Sequence, residues 1–174
     1  VQTTVTATGL AAGTYVCTIT DTNNCPTSAS VTITEPTAIT VSSTTQDVNC
    51  NGAPTGSIDL TVSGGTTNYT YSWVASNGGV LGANLATAED LTSLNAGTYT
   101  CTVTDANGCV TTHSVTIFEP SQLTGSITSQ TNVSCNGLSD GSVTITAAGG
   151  SINYQYDIGN GPQSSGAFGG LSSG

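Results

Sequence analysis

Leu94-Asn95-Ala96-Gly97-Thr98-Tyr99-Thr100-Cys101-Thr102-Val103-Thr104-Asp105-Ala106-Asn107-Gly108-Cys109 decides how the chain is read. The pattern also stands 84 residues earlier, as Leu10-Ala11-Ala12-Gly13-Thr14-Tyr15-Val16-Cys17-Thr18-Ile19-Thr20-Asp21-Thr22-Asn23-Asn24-Cys25. A near-copy at fixed spacing marks a repeat architecture. Within it Tyr99, Cys101 and Val103 alternate with threonines, the period-2 pattern of a strand with one buried face.

The segment that follows fixes a register. A two-residue Asn107-Gly108 turn would set Cys101 opposite Ser114, out of phase with Val115 and Ile117. A three-residue Ala106-Asn107-Gly108 loop, with Gly108 in the left-handed bulge position, restores parity. Asp105 then faces Cys109, Cys101 faces His113, and Tyr99 faces Val115. The first copy agrees, because Thr22-Asn23-Asn24 places asparagine at the same bulge.

Working outward, residues 1–36 read as the C-terminal part of one repeat, with weak alternation over 1–8 and strands near 15–21 and 29–34. Residues 37–120 read as a complete repeat closed by Glu119-Pro120, the counterpart of Glu35-Pro36. Residues 121–174 read as the N-terminal part of the next, stopping where Leu171-Ser172-Ser173-Gly174 aligns with residues 94–97. About seven strands are expected in the full repeat. Ile58, Leu60 and Val62 point inward on one, and Tyr69, Tyr71 and Trp73 share a face on another; their copies are Val143, Ile145, Ala147 and Tyr154, Tyr156, Ile158. Residues 75–97 form a Gly/Asn-rich connection with one or two short strands, about eight residues shorter in the third unit, as suits a surface loop. Proline stops each ladder, and no Gly/Ser linker separates the units, so neighbours are expected to meet at a restricted angle.

Composition excludes several functions. The chain has no Lys or Arg, ten acids and one His, for a net charge of -10. Nucleic acid is therefore not an expected partner, since phosphate binding rests on cationic side chains. The acids must be solvated, hydrogen-bonded or bound to external cations. The six cysteines recur at matching positions, which points to an oxidising, extracellular compartment.

The series Leu-x-Ala-Gly-Thr-Tyr, Asp-Ala-Asn-Gly-Cys and Thr-Ile-x-Glu-Pro resembles the SprB repeat of Bacteroidota surface adhesins. Cys50-Asn51-Gly52, Gly56-Ser57-Ile58, Gly64-Gly65-Thr66 and Tyr69-Thr70-Tyr71-Ser72-Trp73 complete the resemblance. It implies an all-β chain of tandem immunoglobulin-like β-sandwich repeats in a secreted adhesin, exported by the type IX system and tied in some members to gliding motility. Similar repeats usually carry an aliphatic residue where this chain has Cys17 and Cys101. Independently, Tyr15 and Tyr99, two residues before an inward Cys, resemble the tyrosine corner of immunoglobulin-like sandwiches, with the hydroxyl bonded to backbone.

Each repeat offers three disulfide candidates: Cys50 or Cys135 after the first strand, Cys17 or Cys101 within the hairpin, and Cys25 or Cys109 at its turn. In the register above Cys101 and Cys109 lie about 13 Å apart along the ladder, too far to bond. Sandwich wiring favours Cys50–Cys101, with Cys109 near the junction with the preceding repeat. The leftover thiol is either free or bonded to an adjacent repeat or another chain. Asp21/Asn23 and Asp105/Asn107 read as turn braces before they read as calcium ligands, and no cofactor is expected. His113 reads as a satisfied or half-exposed side chain. Tyr69, Tyr71 and Trp73 read as core, not as a sugar platform. Asn68-Tyr69-Thr70 and Asn132-Val133-Ser134 match the N-glycosylation sequon, a motif with many false positives.

No catalytic residue is expected. The expectation is a structural shaft of an extracellular adhesin or filament, its partners being neighbouring repeats, other copies, and a surface polysaccharide or substratum. The competing expectations are a self-assembling filament subunit linked by inter-chain strands or disulfides, and a carbohydrate-binding module.

Overall fold

The computed structural model describes residues 5–82 and 85–173. Eleven antiparallel strands and no helix are found among them. They are β1 (Gly13–Thr20), β2 (Pro26–Ile33), β3 (Thr40–Gln46), β4 (Gly56–Ser63), β5 (Thr70–Ser76), β6 (Leu91–Leu94), β7 (Gly97–Thr104), β8 (Val110–Ile117), β9 (Thr124–Thr131), β10 (Gly141–Ala148) and β11 (Ala167–Leu171).

Six strands form the packed centre. β3-β4-β6 make one sheet and β5-β7-β8 the other, so the chain crosses between sheets after β4, β5 and β6. This is the distribution of the first, second and fifth strands against the third, sixth and seventh in an immunoglobulin-like sandwich. Six strands are present where about seven are expected, because the 77–90 connection forms no strand among its described residues. Alternation dictates the core: β7 buries Gly97, Tyr99, Cys101 and Val103, while its threonines are only half-buried. They meet Ile58 and Leu60 of β4, Leu91 and Leu94 of β6, Trp73 of β5, and Val115 and Ile117 of β8.

The hairpin register is the three-residue one. Cys101 pairs with His113, Tyr99 with Val115 and Thr104 with Val110. Gly108 sits at φ 81°, and its counterpart Asn24 at φ 64°, in the left-handed region that glycine and asparagine tolerate best.

β1 and β2 reproduce this hairpin, Tyr15 opposite Val31 and Cys17 opposite Ala29, but with every residue except Tyr15 exposed. β9-β10-β11 likewise reproduce β3-β4-β6 as a three-stranded sheet. The weak alternation over residues 1–8 yields no strand at 5–8; residues 1–4 lie outside the described residues, as does Gly174 of the aligned turn.

Candidate functional site

The tyrosine corner is built as expected. The Tyr99 hydroxyl donates to the Asn95 carbonyl at 2.9 Å and accepts the Val80 N–H at 3.3 Å. Burial pushes its phenol pKa up. Tyr15 donates to Ala11 O at the same 2.9 Å. Trp73 is 3% exposed, its indole N–H bonded to Ala88 O at 2.8 Å. Tyr69 and Tyr71 pack against the core as half-buried residues. Burial, and the Glu89 carboxylate beside it, raise the Tyr71 phenol well above its ordinary value.

His113 is half-buried, with Nε2 3.0 Å from the Ser43 hydroxyl, a link between the facing edges β3 and β8. Seven of the ten acids, namely Asp21, Asp47, Asp90, Asp105, Glu119, Asp140 and Asp157, accept main-chain N–H groups. Asp105 is buried: Oδ1 accepts from Asn107 and Cys109 at 2.9 and 2.8 Å, and Oδ2 from Thr66 at 2.9 Å. These donors, Thr66 first, hold its carboxyl below the ordinary value of 3.8. Asp21 grips Asn23 and Cys25 identically. The turn-brace reading therefore describes both aspartates. Asp90 of the 75–97 connection holds the Leu60 N–H at 2.9 Å.

The pairing Cys50–Cys101 does not fit this geometry. Cys101 is fully buried at mid-strand opposite His113, whereas Cys50 is exposed in the β3–β4 loop. That loop is tied to the far end of β8: Val48 N–H bonds Phe118 O at 3.1 Å, and Gly52 N–H bonds the Glu119 carboxylate at 2.7 Å. Phe118 lies five residues beyond His113, about 16 Å along a strand, against the roughly 7 Å Cα separation a disulfide spans at most. All six cysteines are free thiols here. Sequence reasoning placed the Cys50 loop correctly opposite the hairpin turn, but treated mid-strand Cys101 as if it lay at the loop end. Cys101 takes the place of the sixth-strand cysteine of immunoglobulin domains, but β4 faces inward with Ile58 and Leu60 instead of a cysteine. Burial raises the pKa of its thiol, so it behaves as a small core hydrophobe.

The chemistry that recurs lies at the ends. One end holds Gly64-Gly65-Thr66, the Asp105 turn with Cys109, and the leading residues 37–38. Gly65 N–H bonds Thr37 O at 2.7 Å, and Ala106 N–H bonds Thr66 O at 3.2 Å. A Cβ on Gly64 would lie 2.0 Å from Ala38 O, so only glycine admits the leading segment. The other end holds the Cys50 loop and residues 118–120, where Asn51 Nδ2 also donates to Pro120 O at 3.2 Å. Ser121 is then seized by the next set of strands through Gly150 N–H at 2.6 Å. Glu119 and Pro120 are thus held by one unit and Ser121 by the next. The role of Glu119, and of exposed Phe118 in the groove beside it, escaped the sequence reading; the shared recurrence of Glu-Pro and Cys-Asn-Gly was the available signal.

The chain matches no curated protein. The family model of the SprB repeat matches residues 42–79 and 124–163, the segments running from the first strand through the Cys50 and Cys135 loops. Two segments of the chain are thus similar to the SprB repeat, a repeat that occurs in cell-surface adhesins.

Proposed function

We propose that the chain is a non-enzymatic segment of the shaft of an extracellular bacterial adhesin, built from 84-residue sandwich repeats, with 1–36 the C-terminal part of one, 37–120 a complete one and 121–174 the N-terminal part of the next. The observation that carries this reading is the junction, where consecutive residues are hydrogen-bonded to different units and no free linker intervenes. A chain wired this way transmits orientation and tension from one sandwich to the next. The absence of Lys and Arg also leaves trypsin-like proteases without a site, which suits an exposed stalk. Attachment to a surface polysaccharide or substratum, type IX export and a part in gliding belong to the same reading.

Scattering tests it. An eight-residue strand spans about 26 Å, so each added repeat should lengthen the particle by at least that amount. The maximum dimension of two-, four- and six-repeat chains is expected to grow linearly. Growth with the square root of repeat number, the behaviour of a flexible string, would reject the shaft.

A second reading, strand exchange between copies into a filament, draws on one observation. Tyr15, Ile19, Val31 and Ile33 of β1-β2 present the face that Tyr99, Val103, Val115 and Ile117 bury against β3-β4-β6. Concentration-dependent oligomers lost on Ile19→Asp would support it.

A further inference from the structure

In the complete repeat Cys50 and Cys109 are exposed and Cys101 is buried, and the topology puts the two exposed thiols at opposite ends. Cys109 and Cys25 close the hairpin turn, each N–H held at 2.8 Å by the aspartate of its turn. Cys50 opens the β3–β4 loop and Cys135 its β9–β10 copy, each carbonyl accepting the N–H of the third residue on, at 3.0 and 3.2 Å. That loop is braced again in both copies. Asn49 N–H bonds Thr55 Oγ1 at 2.9 Å, and Ser134 N–H bonds Asp140 Oδ1 at 2.9 Å. The backbone that carries each thiol is therefore held in place.

The junction brings the two kinds together. Ser151 lines one groove with Asp47, Asn49, Phe118 and Glu119, so the Gly149-Gly150-Ser151 loop of the third unit abuts the Cys50 loop of the central one. Ser151 is the counterpart of Thr66, the residue on which the hairpin turn is seated through Asp105 Oδ2, Ala106 N–H and Asn107 Nδ2. A hairpin turn seated on Ser151 as Asp105–Asn107 are seated on Thr66 would lie at the groove that Asn49, the residue before Cys50, also lines.

On the tandem reading above, we propose that the Cys50-type thiol of each repeat forms a disulfide with the hairpin-turn thiol of the repeat that follows, clamping the Glu-Pro junction covalently. The two thiols lose two protons and two electrons to make the S–S bond. A donor disulfide, of low molecular weight or on an exchange protein, is reduced to two thiols in return. Cys101 takes no part.

The test uses the full chain followed by a second copy of residues 14–36, which completes the third unit. It is oxidised in a glutathione buffer and mapped by non-reducing peptide mass spectrometry after Asp- and Glu-directed cleavage. Cys50 is expected in a disulfide with the appended copy of Cys25, and Cys50→Ser is expected to abolish that link while Trp73 fluorescence stays native. A second measurement needs no appended hairpin: Ser151→Cys in the 174-residue chain is expected to close an intramolecular disulfide with Cys50. Finding Cys50 free in either experiment, or bonded to Cys101 or Cys135, overturns the proposal. Linear growth in scattering alongside a free Cys50 would leave the shaft standing without its clamp.

Discussion

Replacing Tyr99 by Phe removes one oxygen from the fully buried centre of the sandwich. The Asn95 carbonyl loses its donor at 2.9 Å and the Val80 N–H its acceptor at 3.3 Å, with the ring otherwise unchanged. Stranding a buried partner costs about 1–3 kcal/mol. For a unit of this size, 1 kcal/mol moves the melting temperature by about 4–8 °C, so a fall of at least about 4 °C is expected. The chain supplies its own reporter: its single tryptophan, Trp73, is buried in that sandwich, and its fluorescence follows this unit alone. Urea unfolding should show an unchanged slope of about 1–3 kcal/mol/M and an earlier midpoint. Tyr15→Phe is the internal control. It breaks a bond of the same length, but in an exposed hairpin where water replaces the lost partner, so a change within about 0.5 kcal/mol is expected. Equal effects of the two substitutions, or no effect of Tyr99→Phe, would refute the claim that the corner hydroxyl satisfies buried backbone.

Acid should unfold the central sandwich from below the ordinary carboxyl range. The folded state holds Asp105 more acidic than the unfolded state does, so its contribution is complete above pH 3.8 and lost as pH falls through the folded value. Asp105→Asn should flatten that acid limb, followed by Trp73 fluorescence. Gly108→Asn should be tolerated, as Asn24 is in the first hairpin, whereas Gly108→Val should cost about 1–2 kcal/mol for a side chain at positive φ; chemical denaturation ranks the two. Glu119→Ala should leave Trp73 unfolding nearly unchanged yet shorten multi-repeat chains in scattering, because it frees Gly52 N–H at the junction and touches no core residue.

The hairpin was legible because two local signals agree. Period-2 alternation set the buried face, and the left-handed preference of Gly108 and Asn24 set the loop length; together they admit one register. Trp73 and Tyr99 were legible as core for the same reason. The disulfide was not. Whether two cysteines meet depends on how far along a strand each lies relative to the other sheet, and alternation says which face a residue takes, not which partner it reaches. The 75–97 connection was legible as a loop with one short strand, β6, but the path of 77–90 was not, since its hydrogen bonds, such as Trp73 N–H to Ala86 O at 2.9 Å, are irregular and leave no periodic trace.

The junction shows how a chain without cations handles its acids. A carboxylate in a Lys/Arg-free protein has only N–H, hydroxyl and water for partners inside the molecule, and here the main chain supplies most of them. Asp105 ties the hairpin turn to Thr66, Asp47 ties the β3–β4 loop to Phe118 at 2.8 Å, and Glu119 ties the trailing residues to Gly52 at 2.7 Å. Each of these links lies at an end of the sandwich, where turns leave N–H groups outside the ladders. Main-chain donors are fixed by the fold, so the bonds hold the loops in one geometry more firmly than flexible surface ion pairs would. The ends, and not the faces, are therefore the organised surfaces of this repeat. On the proposed reading, these ends are where one repeat of a stacked shaft would meet the next.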